Sequence, residues 1–75
     1  MPDKIVDAKG ANCPIPILKV KKAIGEVPVG GTLEVLATDP GSIADVQAFA
    51  QHGGHTLLEQ SESGGVYRFL IKRAA

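Results

Sequence analysis

The one thiol of the sequence, Cys13, lies in Lys9-Gly10-Ala11-Asn12-Cys13-Pro14-Ile15-Pro16, the stretch with the most restricted backbone in the chain. A cysteine at the start of a helix sits near partial positive charge from unpaired backbone N–H groups, which favours thiolate over thiol. The macrodipole alone contributes about 0.3–1 kcal/mol, against about 1.4 kcal/mol for one pKa unit, so its effect on a thiol is small. Larger shifts need N–H groups that donate to the sulfur, and a cap side chain finds these at the second and third helical positions. The third position here is Pro16, and Pro14 lacks an N–H too, which leaves the Ile15 amide as the local donor. The expectation is a reactive, solvent-reachable and moderately acidified thiol. Moderate acidity suits group transfer, because nucleophilicity falls as thiol pKa falls.

No catalytic set accompanies Cys13 along the chain. His52 and His55 sit among glycines at the far end of a second helix and read as surface histidines, while Asp39 and Asp45 read as capping and first-turn charge. Without a base, an oxyanion site or a second thiol, hydrolysis and dithiol redox chemistry lack support. What remains is a thiol that accepts a group and hands it on. Free cysteines commonly pack as small hydrophobes. The place of Cys13, between a glycine-ended strand and a Pro-x-Pro helix start, argues for the reactive reading. Cys13 and Ile15 each precede a proline and are biased away from helical backbone angles, a local conflict of the kind found at functional sites.

The elements that hold this stretch follow from pattern. Lys4-Ile5-Val6-Asp7-Ala8 is a short β-branched strand ended by Gly10. A helix fits residues 14–24, with Cys13 as N-cap, Pro14 at the first helical position and Gly25 just past the end. At about 100° per residue, Pro16, Ile17, Val20, Ala23 and Ile24 share one arc, while Ile15, Lys19 and Lys22 fall opposite with Leu18 beside them. Thr32-Leu33-Glu34-Val35-Leu36-Ala37 alternates as a strand, and Asp39 or Ser42 caps a second helix carrying Ile43, Val46, Phe49 and Ala50 at helical spacing, ended by Gly53-Gly54. Residues 55–61 form a third strand and residues 62–65 a hairpin loop. Residues 66–72 form the last strand, with Tyr67, Phe69 and Ile71 on one face and Arg68, Leu70 and Lys72 on the other. The expected architecture is an α/β (α+β) two-layer sandwich of order βαβαββ. Each helix crosses over to a parallel neighbour, and both pack on one face of a four-stranded mixed sheet.

Composition bounds the function. The 75 residues make one domain, with a core built mainly from Ile, Val and Leu, since the aromatic residues are Phe49, Phe69 and Tyr67. Eight Lys plus Arg balance eight Asp plus Glu, so the broad positive field of a nonspecific nucleic-acid binder is missing. Lys19, Lys21 and Lys22 nevertheless make a local basic face. One cysteine forms no intramolecular disulfide, and two histidines without further thiols suggest no metal site. With no apolar run near the roughly 20 residues of a membrane span and no signal segment, a soluble, cytoplasmic protein without a cofactor is expected.

Gly10-Ala11-Asn12-Cys13-Pro14-Ile15-Pro16 resembles the Cys-Pro-x-Pro signature of the TusA/SirA-like sulfur-carrier family. The likeness extends to Asp7, to Leu36-Ala37-Thr38-Asp39-Pro40-Gly41-Ser42 and to Arg68-Phe69-Leu70-Ile71-Lys72. The resemblance implies a persulfide carrier in which Cys13 receives sulfane sulfur and passes it to an acceptor protein, with Gly10, Pro14 and Pro16 as supporting motif residues. Donors in the family are cysteine desulfurases and rhodanese-type proteins. Recipients serve tRNA thiolation, molybdenum-cofactor chemistry or sulfur oxidation. Some members that act in tRNA thiolation carry an acid between the two prolines, where this chain has Ile15. The Ile-Leu-Lys-x-Lys-Lys stretch and the Thr38 to Ser42 turn look more like members found with sulfur-oxidation proteins. The outward Ile15 and Leu18, ringed by Lys19 and Lys22, form the expected partner-docking patch, with charge steering the encounter and apolar contact holding it. The alternative is a non-enzymatic interaction or regulatory module in which the same patch binds a partner and Cys13 is structural. RNA binding through the open sheet face rests on fold analogy, and zero net charge with few aromatics counts against it.

Overall fold

The computed structural model describes residues 2–74. Its elements are β1 (Lys4–Ala8), α1 (Ile15–Ile24), β2 (Thr32–Ala37), α2 (Gly41–His52), β3 (Thr56–Ser63) and β4 (Val66–Lys72). The order is the expected βαβαββ, and the four strands make one mixed sheet in the order β1-β2-β4-β3. β1 and β2 are parallel neighbours, with Val6 opposite Val35 and Ala8 opposite Ala37. β4 runs antiparallel to both β2 and β3.

The second crossover differs from expectation. α2 does not return the chain to a strand beside β2, because β4 occupies that place and β3 lies at the far edge. The burial pattern explains the exchange. β4 offers Phe69 and Ile71, both fully buried, to pair opposite Val35 and Leu33. In β3 only Leu57 packs against the core. The richer strand takes the central position, where both its edges are paired. The β3–β4 connection is also tighter than the four residues expected, since β3 runs on to Ser63 and only Gly64 and Gly65 turn the chain. Both have positive φ, 58° and 83°, as a two-residue hairpin turn of type I′ demands. A bulge places Leu58 as the extra residue between the Leu57–Ile71 and Glu59–Leu70 pairs.

The core follows the two periodicities. Val6 and Ala8, then Leu33, Val35 and Ala37, alternate inward from β1 and β2. Over them lie Val20, Ala23 and Ile24 of α1 and Val46 and Ala50 of α2, with Ile17, Ile43 and Phe49 half-buried at the margin. The inner arc read from helical spacing is thus the buried face of α1. On the opposite sheet face Arg68 donates from Nε to Glu34 at 2.8 Å and from Nη1 to Glu59 at 3.0 Å, tying three strands together. No described helix is long and apolar enough to cross a membrane.

The helix starts also depart from expectation. α1 begins at Ile15, with Pro14 as its N-cap residue and Cys13 one position further out, so the cysteine is not the cap. The Cys13–Pro14 peptide bond is cis. At α2 the cap residue is Pro40, with no side-chain cap bond, rather than Asp39 or Ser42; Asp39, one position earlier, accepts the Gly41 N–H on Oδ1 at 3.2 Å, and its carbonyl accepts from the Ser42 hydroxyl at 2.6 Å.

Candidate functional site

Because β1 and β2 are parallel neighbours, they end at the same edge of the sheet, and the loops that leave them meet there. The contacts between these loops build the site. Gly10 turns the chain at φ 83° and donates its N–H to Thr38 Oγ1 at 2.8 Å. Three residues later Cys13 donates its N–H to Asp39 Oδ2 at 2.7 Å. Asp39 therefore joins the starts of both helices, one oxygen on Gly41 and the other on Cys13.

The Cys13 side chain is exposed and unbridged. Its Sγ donates to Asp45 Oδ2, 3.2 Å away on the second turn of α2. This contact overturns the expectation of an acidified thiol. The hydrogen bond to Asp45 raises the Cys13 pKa above its ordinary value, and partial desolvation and the negative charges of Asp45 and Asp39 push it the same way. The Ile15 N–H expected to help the sulfur donates to the Asn12 carbonyl instead, at 2.9 Å. The weak positive end of a helix is outweighed by two carboxylates that the fold brings up from α2 and the loop before it. The reading of Asp39 and Asp45 as capping and first-turn charge is not met, since α2 has no side-chain cap and no acid in its first turn, and both carboxylates bond to Cys13 instead.

Beside the thiol an open groove of about 530 Å³ runs between α1 and α2. Its apolar wall includes Ile17 and Phe49, and Lys21 and His52 bring basic groups to it. Neither Lys21 nor His52 is among the site residues expected from the sequence. Asp45, Phe49 and His52 recur at i, i+4 and i+7, a spacing that marks one stripe of α2. What that stripe faces depends on how the two helices cross. His55 takes another part: its Nδ1 accepts the Ala74 N–H at 3.0 Å, and its ring lies 5.3 Å from that of Phe49.

The expected docking residues are outward. Ile15 is 49% exposed and Leu18 56%, both large for apolar side chains, and Lys19 and Lys22 are exposed. Of these, Lys19 and Lys22 line a different hollow from the thiol groove. Lys19 and Lys22 flank a shallow hollow of about 250 Å³ next to Lys4, Val6 and Glu26, toward β1, whereas Cys13 shares its groove with Ile17 and Lys21. Of the motif prolines, Pro16 is buried on the inner face of α1 and Pro14 is exposed beside Cys13. Among the described residues no group of three or more His, Cys, Asp and Glu side chains is arranged to hold a metal ion.

Residues 4–73 match the family model described as sulfurtransferase TusA. The chain is 49% identical over 72 residues to the sulfur carrier protein TusA of Allochromatium vinosum, covering 96% of this chain and 95% of that protein. It is 40% identical over 74 residues to the sulfur carrier protein TusA of Pseudomonas putida, covering 99% and 92%. The crystal structure of a SirA-like protein from Desulfitobacterium hafniense superposes with a TM-score of 0.83 at 31% identity, over 96% of this chain and 99% of that one.

Proposed function

The chain belongs to the TusA sulfurtransferase family, and on that premise we propose that it is a sulfur carrier whose Cys13 takes up a sulfane sulfur and delivers it to an acceptor protein. The observation that carries this reading is the position of Cys13: an exposed lone thiol at the β1–α1 junction, on the lip of an open groove. In the loading step the Cys13 thiolate attacks the outer sulfur of a donor persulfide. The Sγ–S bond forms as the donor S–S bond breaks, and the electron pair leaves with the donor sulfur, which takes up a proton. Cys13 is left as Cys–S–SH. An acceptor thiolate then repeats the exchange and restores the Cys13 thiol. One sulfur atom moves in each step with no net oxidation, so neither a cofactor nor a second thiol in this chain is required.

The donor is a persulfide-bearing protein of the desulfurase or rhodanese type and the acceptor a second protein, met through Ile15, Leu18, Lys19 and Lys22. A reducing cytoplasm suits a carrier with one unpaired thiol. Intact-protein mass spectrometry after incubation with a persulfide donor tests the reading. Wild type gains the mass of one sulfur atom and Cys13→Ser gains none; equal loading of the two, or no loading of wild type, overturns it. The hydrogen bond that holds Cys13 as a thiol favours a second reading, a binding module in which the cysteine is structural. In that case Cys13→Ala retains partner binding and cellular function.

A further inference from the structure

The Asp45 carboxylate has no structural duty that the fold reveals. Among the described residues its hydrogen-bond partner is Cys13 alone, it forms no ion pair, and it lies in the second turn of its helix, beyond the cap positions. It is half-buried on α2 and reaches across the groove to the one nucleophile of the chain. A sulfur carrier alternates between two states of that nucleophile, and the contact is possible in only one of them. In the empty state Sγ carries a hydrogen and donates it to Oδ2. In the loaded state Sγ is bonded to sulfur and has no hydrogen to give, and the outer sulfur, once ionised, is repelled by the same carboxylate.

We propose that Asp45 is a state-dependent latch on Cys13, holding the empty thiol against α2 and releasing the sulfur outward once it is loaded. The inference rests on the sulfur-carrier reading for its purpose, but the latch itself is a property of the Cys13–Asp45 pair. Closed, it slows reaction of the empty thiol with stray electrophiles and oxidants and leaves loading to a donor that holds its persulfide at Sγ, where proximity offsets the small thiolate fraction. Open, it presents the cargo to the acceptor. The proton lost from Sγ before attack passes to solvent, and the acceptor exchange returns the thiol that closes the latch again.

The groups that face the thiol are Asp39 from the loop before α2, Asp45 and His52 from α2, and Lys21 from α1. Asp45 is singled out among them by its direct bond to the sulfur. The direction of the Cys13 shift agrees with the geometry, since Asp45 is its largest cause.

Two measurements test the latch without any sulfur donor. The first is the rate of iodoacetamide alkylation across the thiol titration for wild type, Asp45→Asn and Asp45→Ala, with folding checked by circular dichroism. Both variants should show a midpoint at lower pH than wild type. At neutral pH, thiolate gain set against lost nucleophilicity gives alkylation about threefold faster for each pKa unit recovered. An unchanged midpoint overturns the latch, and slower alkylation at neutral pH overturns it in favour of Asp45 as the base that takes the Cys13 proton. The second is the ¹³C resonance of the Asp45 carboxyl group before and after Cys13 is capped as a methyl disulfide, which removes the Sγ hydrogen as loading does. A shift on capping is expected; an unmoved resonance overturns release. Failure of sulfur loading in the mass experiment, with both of these results intact, would count against the carrier reading and leave the latch standing.

Discussion

At the scale of single residues, the chemistry of Cys13 is decided by which charges reach it. The helix end offers a fraction of a kcal/mol of thiolate stabilisation, and Asp45 and Asp39 oppose it. The native-state pKa of the thiol is raised, so while the carboxylates are ionised the Sγ–Asp45 bond adds stability below the ordinary thiol pKa and loses it as pH rises through the higher folded value. Reactivity has the opposite sign and rises as that range is approached. Asp39→Ala separates the two carboxylates. It removes the acceptors of the Cys13 and Gly41 N–H groups and should lower stability by about 1 kcal/mol in urea unfolding, the scale of a lost hydrogen bond. Its effect on the alkylation midpoint should run in the same direction as that of Asp45→Asn and be smaller, because Asp39 acts on the sulfur through space and Asp45 through a bond.

At the scale of elements, α1 has three faces that one helical wheel does not separate. Its inner arc closes the core, Ile17 and Lys21 line the thiol groove, and Ile15, Leu18, Lys19 and Lys22 look outward. Leu18→Glu should leave unfolding within about 0.5 kcal/mol of wild type, since the residue is exposed. If Leu18 anchors a partner, the same change should slow sulfur transfer from a protein donor by about tenfold, the scale of an interface residue worth ~1.4 kcal/mol, while loading from a small persulfide stays unchanged. Comparing the two donors on one variant is the check. The local order of α1 was legible because helical spacing and the two prolines act within a few residues. Its start was misplaced by one position, because the resulting backbone depends on how Cys13 and Asn12 are tied to neighbouring chain: Cys13 N–H to Asp39 and Asn12 carbonyl to Ile15.

At the scale of the whole molecule, the site stands on a small core with little redundancy. Phe69 is its largest fully buried side chain and sits in the central strand β4, opposite Val35. Phe69→Ala should cost about 3–5 kcal/mol, a large part of the ~5–15 kcal/mol that separates a folded domain from its unfolded chain. The urea midpoint should fall accordingly, and the slope should remain that of a cooperative transition. β2 and β4 carry the sheet, and the parallel β1–β2 pair carries the site. A loss of core packing there should therefore weaken the contacts of Gly10 and Cys13 with the loop before α2 as well as the fold.

The succession of elements along the chain, the inward-facing residues, the outward Ile15 and Leu18, and the placement of the thiol at the first strand-to-helix junction were all written in the sequence. Each depends on periodicity, turn chemistry or proline geometry over a few positions. The exchange of β3 and β4, the groove shared by Ile17, Lys21, Phe49 and His52, and the raised pKa of Cys13 were settled only by tertiary structure. Strand order reflects which strand buries more when the sheet closes, and that comparison spans the chain. The charges at the thiol arrive from 26 and 32 residues away, at Asp39 and Asp45. Electrostatics acts through space, and no spacing along the chain measures that distance.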